Sequence, residues 1–250
     1  MSMQKAIKFL AWINDFYLCR FGLYLTNSNR NLRNVVNRHL KSKSIEVVFD
    51  VGASYGQYGA GLRKGGYRGL IYSFEPLKAP FKDLIAMAKA DGMWSAHNIG
   101  LGSENEVRQI NVAGNSVSSS LLEMTSLHIT NAPKSKFINS EIIEIQTLDS
   151  FLDSINLINQ QKMHLKIDVQ GFTKEVLFGS KKFLGDPNLV SLEVELDLAK
   201  VYVGQPEWPE IISILEKFGF KLFSCSGGFH DVANGRILQL DAFFVKEPAD

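Results

Sequence analysis

The sequence predicts an α/β domain: a three-layer sandwich around a mostly parallel sheet, preceded by helices. Three observations carry this. Short apolar runs such as "VVFDV" and "LIYSF" lack the polar–apolar alternation of a half-exposed strand and suit a sheet covered on both faces. Stretches of helical period separate most of these runs, as strand–helix–strand units require. The last two runs have only a turn-rich segment between them, which reads as an antiparallel pair closing one sheet edge. With 250 residues, 45% of them hydrophobic, the chain has material for one large core.

In order, residues 1–44 read as a helical extension and residues 45–250 as the main domain. Residues 6–25 form an amphipathic helix pattern, interrupted by Lys8, Asn14, Asp15 and Arg20. A membrane span needs roughly 20 successive apolar residues, and no small-residue cleavage site follows. This helix is expected to pack on its own domain or on a second copy of the chain, giving a homo-oligomer, with membrane-surface binding as the alternative. "NSNRNLRN" then breaks the pattern and starts a second helix.

From residue 45, "IEVVFDVG" is a strand, "QYGAGLRKGG" a helix and "GLIYSFEP" a strand. Helical "PFKDLIAMAKADG" and a short "MWSAHNIGLG" follow. Residues 105–145 are polar and serine-rich, and read as strand fragments with a loop over the ligand side. Regular alternation resumes with "MHLKIDVQG" (strand), "TKEVLFGSKKFL" (helix), "LVSLEVEL" (strand) and "WPEIISILEKFGF" (helix). "KLFSCSG" and "ILQLDAFFVKE" are the closing pair, with "GFHDVANG" turning between them.

Composition narrows the function. A formal charge of +1 and a pI near 7.7 give no overall field for nucleic acid or an acidic membrane. Cys19 and Cys225 lie far apart, so no disulfide framework is expected and the chain leans to the cytoplasm. No histidine or cysteine falls at metal-ligand spacing, so no metal is expected.

The informative stretch is "VVFDVGASYGQYGAGL". Asp50 stands at the mouth of a buried strand, and Gly52 and Gly56 let the backbone turn tightly and approach a ligand. Helix amides beyond Gly56 present partial positive charge to the same place. The second strand ends at Glu75, 23 residues after Gly52. A carboxylate there accepts both hydroxyls of a ribose, in line with ligand binding at the carboxyl ends of parallel strands. "GASYG" is not the G-x-G-x-x-G of dinucleotide folds, so the pattern indicates a nucleoside-type ligand. A sulfonium cofactor with an amino-acid tail, which wants an acid near its cation, suits Asp50 better than NAD does.

At this point "VFDVGASYGQY", "SFEP", "LKIDVQGFTKEVLFG", "VYVGQ" and "GRILQLDAFFVK", in this order, resemble the FkbM-type S-adenosylmethionine-dependent methyltransferases. The resemblance covers roughly residues 45–246. It implies a class I methyltransferase (Rossmann-like) fold of seven strands with an antiparallel last strand. It also implies S-adenosylmethionine as cofactor and O-methylation of a sugar, glycan, glycolipid or natural-product hydroxyl. By position, Asp50, Gly52, Ala53, Gly56 and Gln57 fall in the family's first glycine motif, and Glu75 with Pro76 in its ribose-binding motif. Gly100 and Leu101 of "NIGLG" lie where the adenine is expected, and Ser119 and Ser120 match a serine pair on the next loop. Asp168, Gln170 and Gly171 match the D-x-(E/Q)-G signature, Glu195 the fifth-strand acid, and Tyr202, Gly204 and Gln205 the "YEGQ" loop. Three positions depart from the pattern: Thr173 and Val203 replace usual acids, and Ser54-Tyr55-Gly56 replaces "NxG". Thr173 suits a helix cap.

Methyl transfer from a sulfonium asks mainly for alignment, plus a base when the acceptor is an alcohol. Asp168 is the first candidate for that base and Glu195 the second. The plainer role for both is to hydrogen-bond loops or the cofactor's amino-acid tail. Lys166 shares a strand face with Asp168, as Glu193 does with Glu195. A lysine so placed keeps the aspartate ionised or orients it. His230 beside Asp231 is a weaker base candidate, "DPNL" at 186–189 reads as a turn, and Trp94 and Trp208 as core or pocket wall. Two other functions fit parts of the sequence: a noncatalytic nucleoside-binding module with a decayed acceptor site, and an NAD-dependent oxidoreductase.

Overall fold

Helix α1 (Leu32–Ser42) buries Leu32, Val36 and Leu40 against the sheet. It is the first element of a computed structural model that describes residues 32–155 and 160–246. The expected amphipathic helix over 6–25 lies outside the described residues. The second helix start expected in "NSNRNLRN" agrees with α1, whose apolar side chains join the same cluster as Val48, Ile71 and Phe243.

The main sheet is built from β1 (Val47–Val51), β2 (Leu70–Phe74), β3 (Trp94–His97), β7 (Met163–Ile167), β8 (Leu189–Asp197), β9 (Phe220–Gly227) and β10 (Gln239–Lys246). Its order is β3-β2-β1-β7-β8-β10-β9. The pairs from β3 through β8 are parallel, and β10 runs antiparallel to both neighbours. This is the seven-stranded class I arrangement with its antiparallel last strand. All five residues of β1 and of β7 are buried, which is why their sequences are apolar runs without alternation.

One face of the sheet carries Phe49, Phe74, Leu165, Leu192 and Val194, covered by α5 (Leu148–Ser154), α6 (Thr173–Phe178), α7 (Lys181–Gly185) and α8 (Trp208–Lys217). The other carries Val48, Ile71 and Phe243 under α1, α2 (Gln57–Lys64) and α3 (Lys78–Asp91). Helices on both sides make the three layers. The register places Ser73, Asp50, Lys166 and Glu193 side by side on neighbouring strands. A polar row thus crosses the second face near the strands' carboxyl ends.

Two expectations are corrected. Residues 105–145 are more regular than strand fragments. β5 (Glu106–Ala113) and β6 (Phe137–Gln146) pair antiparallel, and with the short β4 (Gly100–Leu101) they form a separate three-stranded sheet. The run "TKEVLFGSKKFL" is two helices, α6 and α7, instead of one. The break falls at Gly179, the C-cap of α6, where only a glycine fits because a Cβ would lie 1.9 Å from the Gly102 carbonyl oxygen. The short α4 (Ser126–Asn131) is capped by the Thr125 hydroxyl. "DPNL" is a turn, with the Asn188 N–H on the Asp186 carboxylate.

Candidate active site

A cavity of about 410 Å³ opens at the carboxyl ends of β1, β2 and β7, a size ordinary for a small-molecule site. Of the residues singled out in the sequence, Gly52, Ala53, Gln57, Glu75, Pro76, Gly100, Leu101, Ser119, Ser120, Asp168 and Gln170 line it. Asp50, Gly56, Glu195 and His230 are not among its lining residues.

Gly52 explains how the wall is formed. Its φ is +76°, and a Cβ there would lie 1.8 Å from the Asp168 carbonyl oxygen. The first loop and the end of β7 touch backbone to backbone, and the Asp168 N–H completes the contact on the Val51 carbonyl at 3.0 Å. Gly56, at φ +85°, is the N-cap of α2 and faces Met87, Leu84 and Trp94, so it shapes the turn from behind.

Glu75 is 6% exposed, with both oxygens engaged: Oε2 accepts the Ser54 N–H and Oε1 the Leu77 N–H, each at 2.8 Å. Burial pushes its pKa up to about 7 against the pull of those two N–H groups. A carboxylate oxygen accepts more than one hydrogen bond, so the pair keeps capacity for two hydroxyl donors. Asn98 braces the turn beside it, donating to the Glu75 and Pro76 carbonyls.

Asp50 has a different place from the one its position suggested. Its side chain is wholly buried, accepts from the Ser73 hydroxyl at 3.2 Å, and lies 3.3 Å from Lys166 Nζ. Burial raises its pKa despite the lysine. The acid expected to face a bound cation instead sits beneath the cavity and is neutralised from within the sheet. Lys166 also meets Asp168 Oδ2 at 3.4 Å and donates to the Gly52 carbonyl at 3.2 Å. Burial works to lower the lysine's pKa, but Asp168, Asp50 and Glu193 outweigh it and hold it above the ordinary value.

Of the two candidate bases, Asp168 is the one that reaches the cavity, its side chain 36% exposed. Glu195 stands behind it, joined through one amide: Gln170 Nε2 donates to Asp168 Oδ1 and to Glu195 Oε2, both at 2.8 Å. Gln239 repeats the pattern, bridging Glu195 and Asp197. Burial, then Asp168, Asp197 and Asp241, push the Glu195 pKa well above the ordinary carboxylate range. Among the described residues no three histidine, cysteine, aspartate or glutamate side chains converge to hold a metal ion.

The loop over the cavity is tied down by serines and by Tyr202. Ser120 Oγ donates to the Gln170 carbonyl at 2.7 Å, and the Tyr202 hydroxyl donates to Gln170 Oε1 at 2.8 Å. Gln205 folds the "VYVGQ" loop, accepting the Val201 and Tyr202 N–H groups and donating to the Ala199 carbonyl. Thr173 is buried as the first residue of α6, where Phe172 and not Thr173 is the N-cap. Val203 is 58% exposed, so neither departure removes a cavity-lining group.

Sequence reasoning missed three parts of the site. Tyr58 links Glu193 and His164 through its hydroxyl, both at 3.0 Å, and lines the inner end of the cavity. Arg33 of α1 lines the same end, where a second cavity adjoins. The bridging amide of Gln170 is the third. The pleat that pairs Glu193 with Glu195 was the available signal for the first; the other two depend on a distant helix and an unusual backbone angle.

The family model of the methyltransferase FkbM domain matches residues 50–222, and the chain belongs to this family. Its cofactor is S-adenosylmethionine. No curated protein gives a significant sequence match. Solved structures with similar folds include a methyltransferase FkbM from Methylobacillus flagellatus KT (13% identity, TM-score 0.45, 79% of this chain and 43% of that one). Aeropyrum pernix fibrillarin, in complex with natively bound S-adenosyl-L-methionine, is similar at 10% identity and TM-score 0.44, over 80% of this chain and 66% of that one. Precorrin-6y C5,15-methyltransferase from Geobacter metallireducens GS-15 is similar at 10% identity and TM-score 0.44, over 90% and 94%. The chain thus spans under half of the Methylobacillus protein and just under two thirds of the fibrillarin. These likenesses are distant, and the fold assignment rests on the strand order itself.

The residues present fit the cofactor. Glu75 offers acceptors for two ribose hydroxyls, Leu77, Ile99, Leu101 and Ile143 give apolar walls beside Gly100, and the Gly52 turn keeps the wall free of side chains. No described helix is long and apolar enough to cross a membrane.

Proposed function

We propose that the protein is an S-adenosylmethionine-dependent O-methyltransferase acting on a hydroxyl of a sugar, glycan, glycolipid or natural product. The observation that carries this reading is the Asp168 carboxylate, open to the cavity and gripped on one oxygen by Lys166 and on the other by Gln170. When bound, the cofactor supplies the methyl group: its carbon–sulfur bond breaks, the electron pair stays on sulfur, and a neutral thioether leaves. Asp168 takes the acceptor's hydroxyl proton as the oxygen bonds to the methyl carbon, ending as a carboxylic acid. Glu75 and the Gly52 turn fix the donor, so the acceptor enters past Asp168. The inner end near Tyr58, Glu193, Asp241 and Arg33 offers polar groups for it.

The test is methyl transfer from isotopically labelled S-adenosylmethionine into extracts and panels of hydroxylated acceptors, with Asp168→Asn alongside. Labelled product with the parent, and a loss of at least about a hundredfold with the variant at unchanged cofactor affinity, is expected. A variant that methylates at the parent rate removes Asp168 as the base. No labelled product and no cofactor uptake by calorimetry overturn the reading.

A further inference from the structure

We propose that Gln170 is the positioning residue of this site: its side-chain amide fixes the orientation in which Asp168 receives the acceptor's proton. The proposal rests on the reading of Asp168 as the base.

The backbone supplies the first ground. Gln170 has φ +49°, in the left-handed region that a side-chain-bearing residue seldom occupies, and Gly171 follows at +88°. This turn aims the Gln170 side chain back at Asp168, two residues earlier. A glycine or asparagine would adopt the angle more readily, so the glutamine side chain is held there against a backbone preference.

Hydrogen-bond bookkeeping supplies the second. The two amide hydrogens on Nε2 go to Asp168 Oδ1 and Glu195 Oε2, and Oε1 accepts the Tyr202 hydroxyl. As the base, Asp168 works ionised and only accepts, so the N–H end of the amide belongs at its Oδ1; the Tyr202 hydroxyl sits at the other end, 2.8 Å from Oε1 and 3.2 Å from the Ser118 carbonyl. Burial, then Glu195, Asp197 and Asp168, raise the Tyr202 pKa, so the hydroxyl stays a donor. The shorter of its two contacts is to Gln170 Oε1, so Tyr202 braces the amide and the amide holds Asp168.

The third ground is charge. Facing this group are Lys166 from its own strand, Asp50 from β1, Glu193, Glu195 and Asp197 from β8, and Asp241 from β10. Lys166 holds Asp168 Oδ2 and Gln170 holds Oδ1. Without the amide, Asp168 Oδ1 loses the side-chain donor that orients it. No other residue type of this length offers two donors and an acceptor in one plane without adding a charge.

The substitutions Gln170→Leu, Gln170→Glu and Tyr202→Phe test this by methyl transfer from isotopically labelled S-adenosylmethionine to the hydroxylated acceptor panel at pH 6 and pH 8.5, with S-adenosylhomocysteine affinity measured by calorimetry. Gln170→Leu is expected to lower kcat at least tenfold with cofactor affinity within about threefold of the parent. Gln170→Glu puts a third acid between two carboxylates, which is expected to hold a proton at pH 6 and lose it on the way to 8.5. Its protonated form keeps one donor for Asp168, so its kcat at pH 6 should lie below the parent's and above that of Gln170→Leu, and should then fall at least tenfold more than the parent's between the two pH values. A merely structural glutamine predicts neither the pH step nor the separation of kcat from affinity. Parental kcat and pH profile in folded Gln170 variants overturn the proposal. Where these do not fold, Tyr202→Phe decides, since an unchanged kcat overturns it equally. A parental rate in Asp168→Asn fails the base reading instead, and an inactive Asp168→Asn beside a parental Gln170→Leu fails this proposal alone.

Discussion

Lys166 Nζ stands 3.3 Å from the Asp50 carboxylate, so the wholly buried acid of the first strand is neutralised by the strand beside it. Breaking a buried pair from one side leaves a charge with neither water nor partner, which costs about 3–5 kcal/mol. Lys166→Met is expected to lose about that much in urea unfolding. Adding Asp50→Asn should return part of it, because the orphaned charge goes too. A single variant as stable as the parent would mean that the pair has no structural weight.

Glu75 predicts a pH-dependent affinity. Its raised pKa, about 7, leaves it neutral below that pH and ionised above. Hydroxyl donors bind the ionised form better, so S-adenosylhomocysteine affinity should rise between pH 6 and pH 8. Glu75→Gln should flatten the dependence, and Glu75→Ala should weaken binding at least about tenfold, within the range for hydrogen bonds to a charged group. Calorimetry across this range checks both statements, and a parent affinity independent of pH contradicts the first.

Gly52→Ala is expected to abolish cofactor binding and lower the unfolding midpoint strongly. The added carbon meets backbone at 1.8 Å, and neither strand can yield without breaking its pairing. Gly185→Ala is the matched control, since nothing lies within 4 Å of its added carbon. Thermal unfolding with and without S-adenosylhomocysteine separates the two variants.

Tyr58→Phe removes the hydroxyl shared by Glu193 and His164. His164 is fully buried and driven neutral, its pKa lowered to about 3 by burial, so it has no water to replace the lost partner. About 1–3 kcal/mol of stability should go, read from the urea midpoint. A loss below about 0.5 kcal/mol would show the hydroxyl to be dispensable.

The strands at the sheet centre were legible because burial on both faces leaves no room for polar residues, as in β1 and β7. Glu75 was legible from its place after the second strand. The β5–β6 pair was not, because it is exposed on one side yet carries Val107, Ile138 and Ile142 there, which blurs the alternation. Asp50 was visible but its task was not: the register that seats Lys166 beside it joins residues more than a hundred positions apart. The Gln170 bridge depends on a left-handed angle that its residue type does not announce.

Helix α1 closes the cluster around Val48 and Phe243, and its Arg33 stands in the cavity wall. The family match starts only at residue 50, after this helix. Part of the chamber is therefore furnished by a stretch the common family pattern does not prescribe. Under the proposed reading, exchanging α1 would reshape the wall at Arg33 and leave Glu75 and the Gly52 turn where they are, so acceptor choice could be altered there without touching the donor's place.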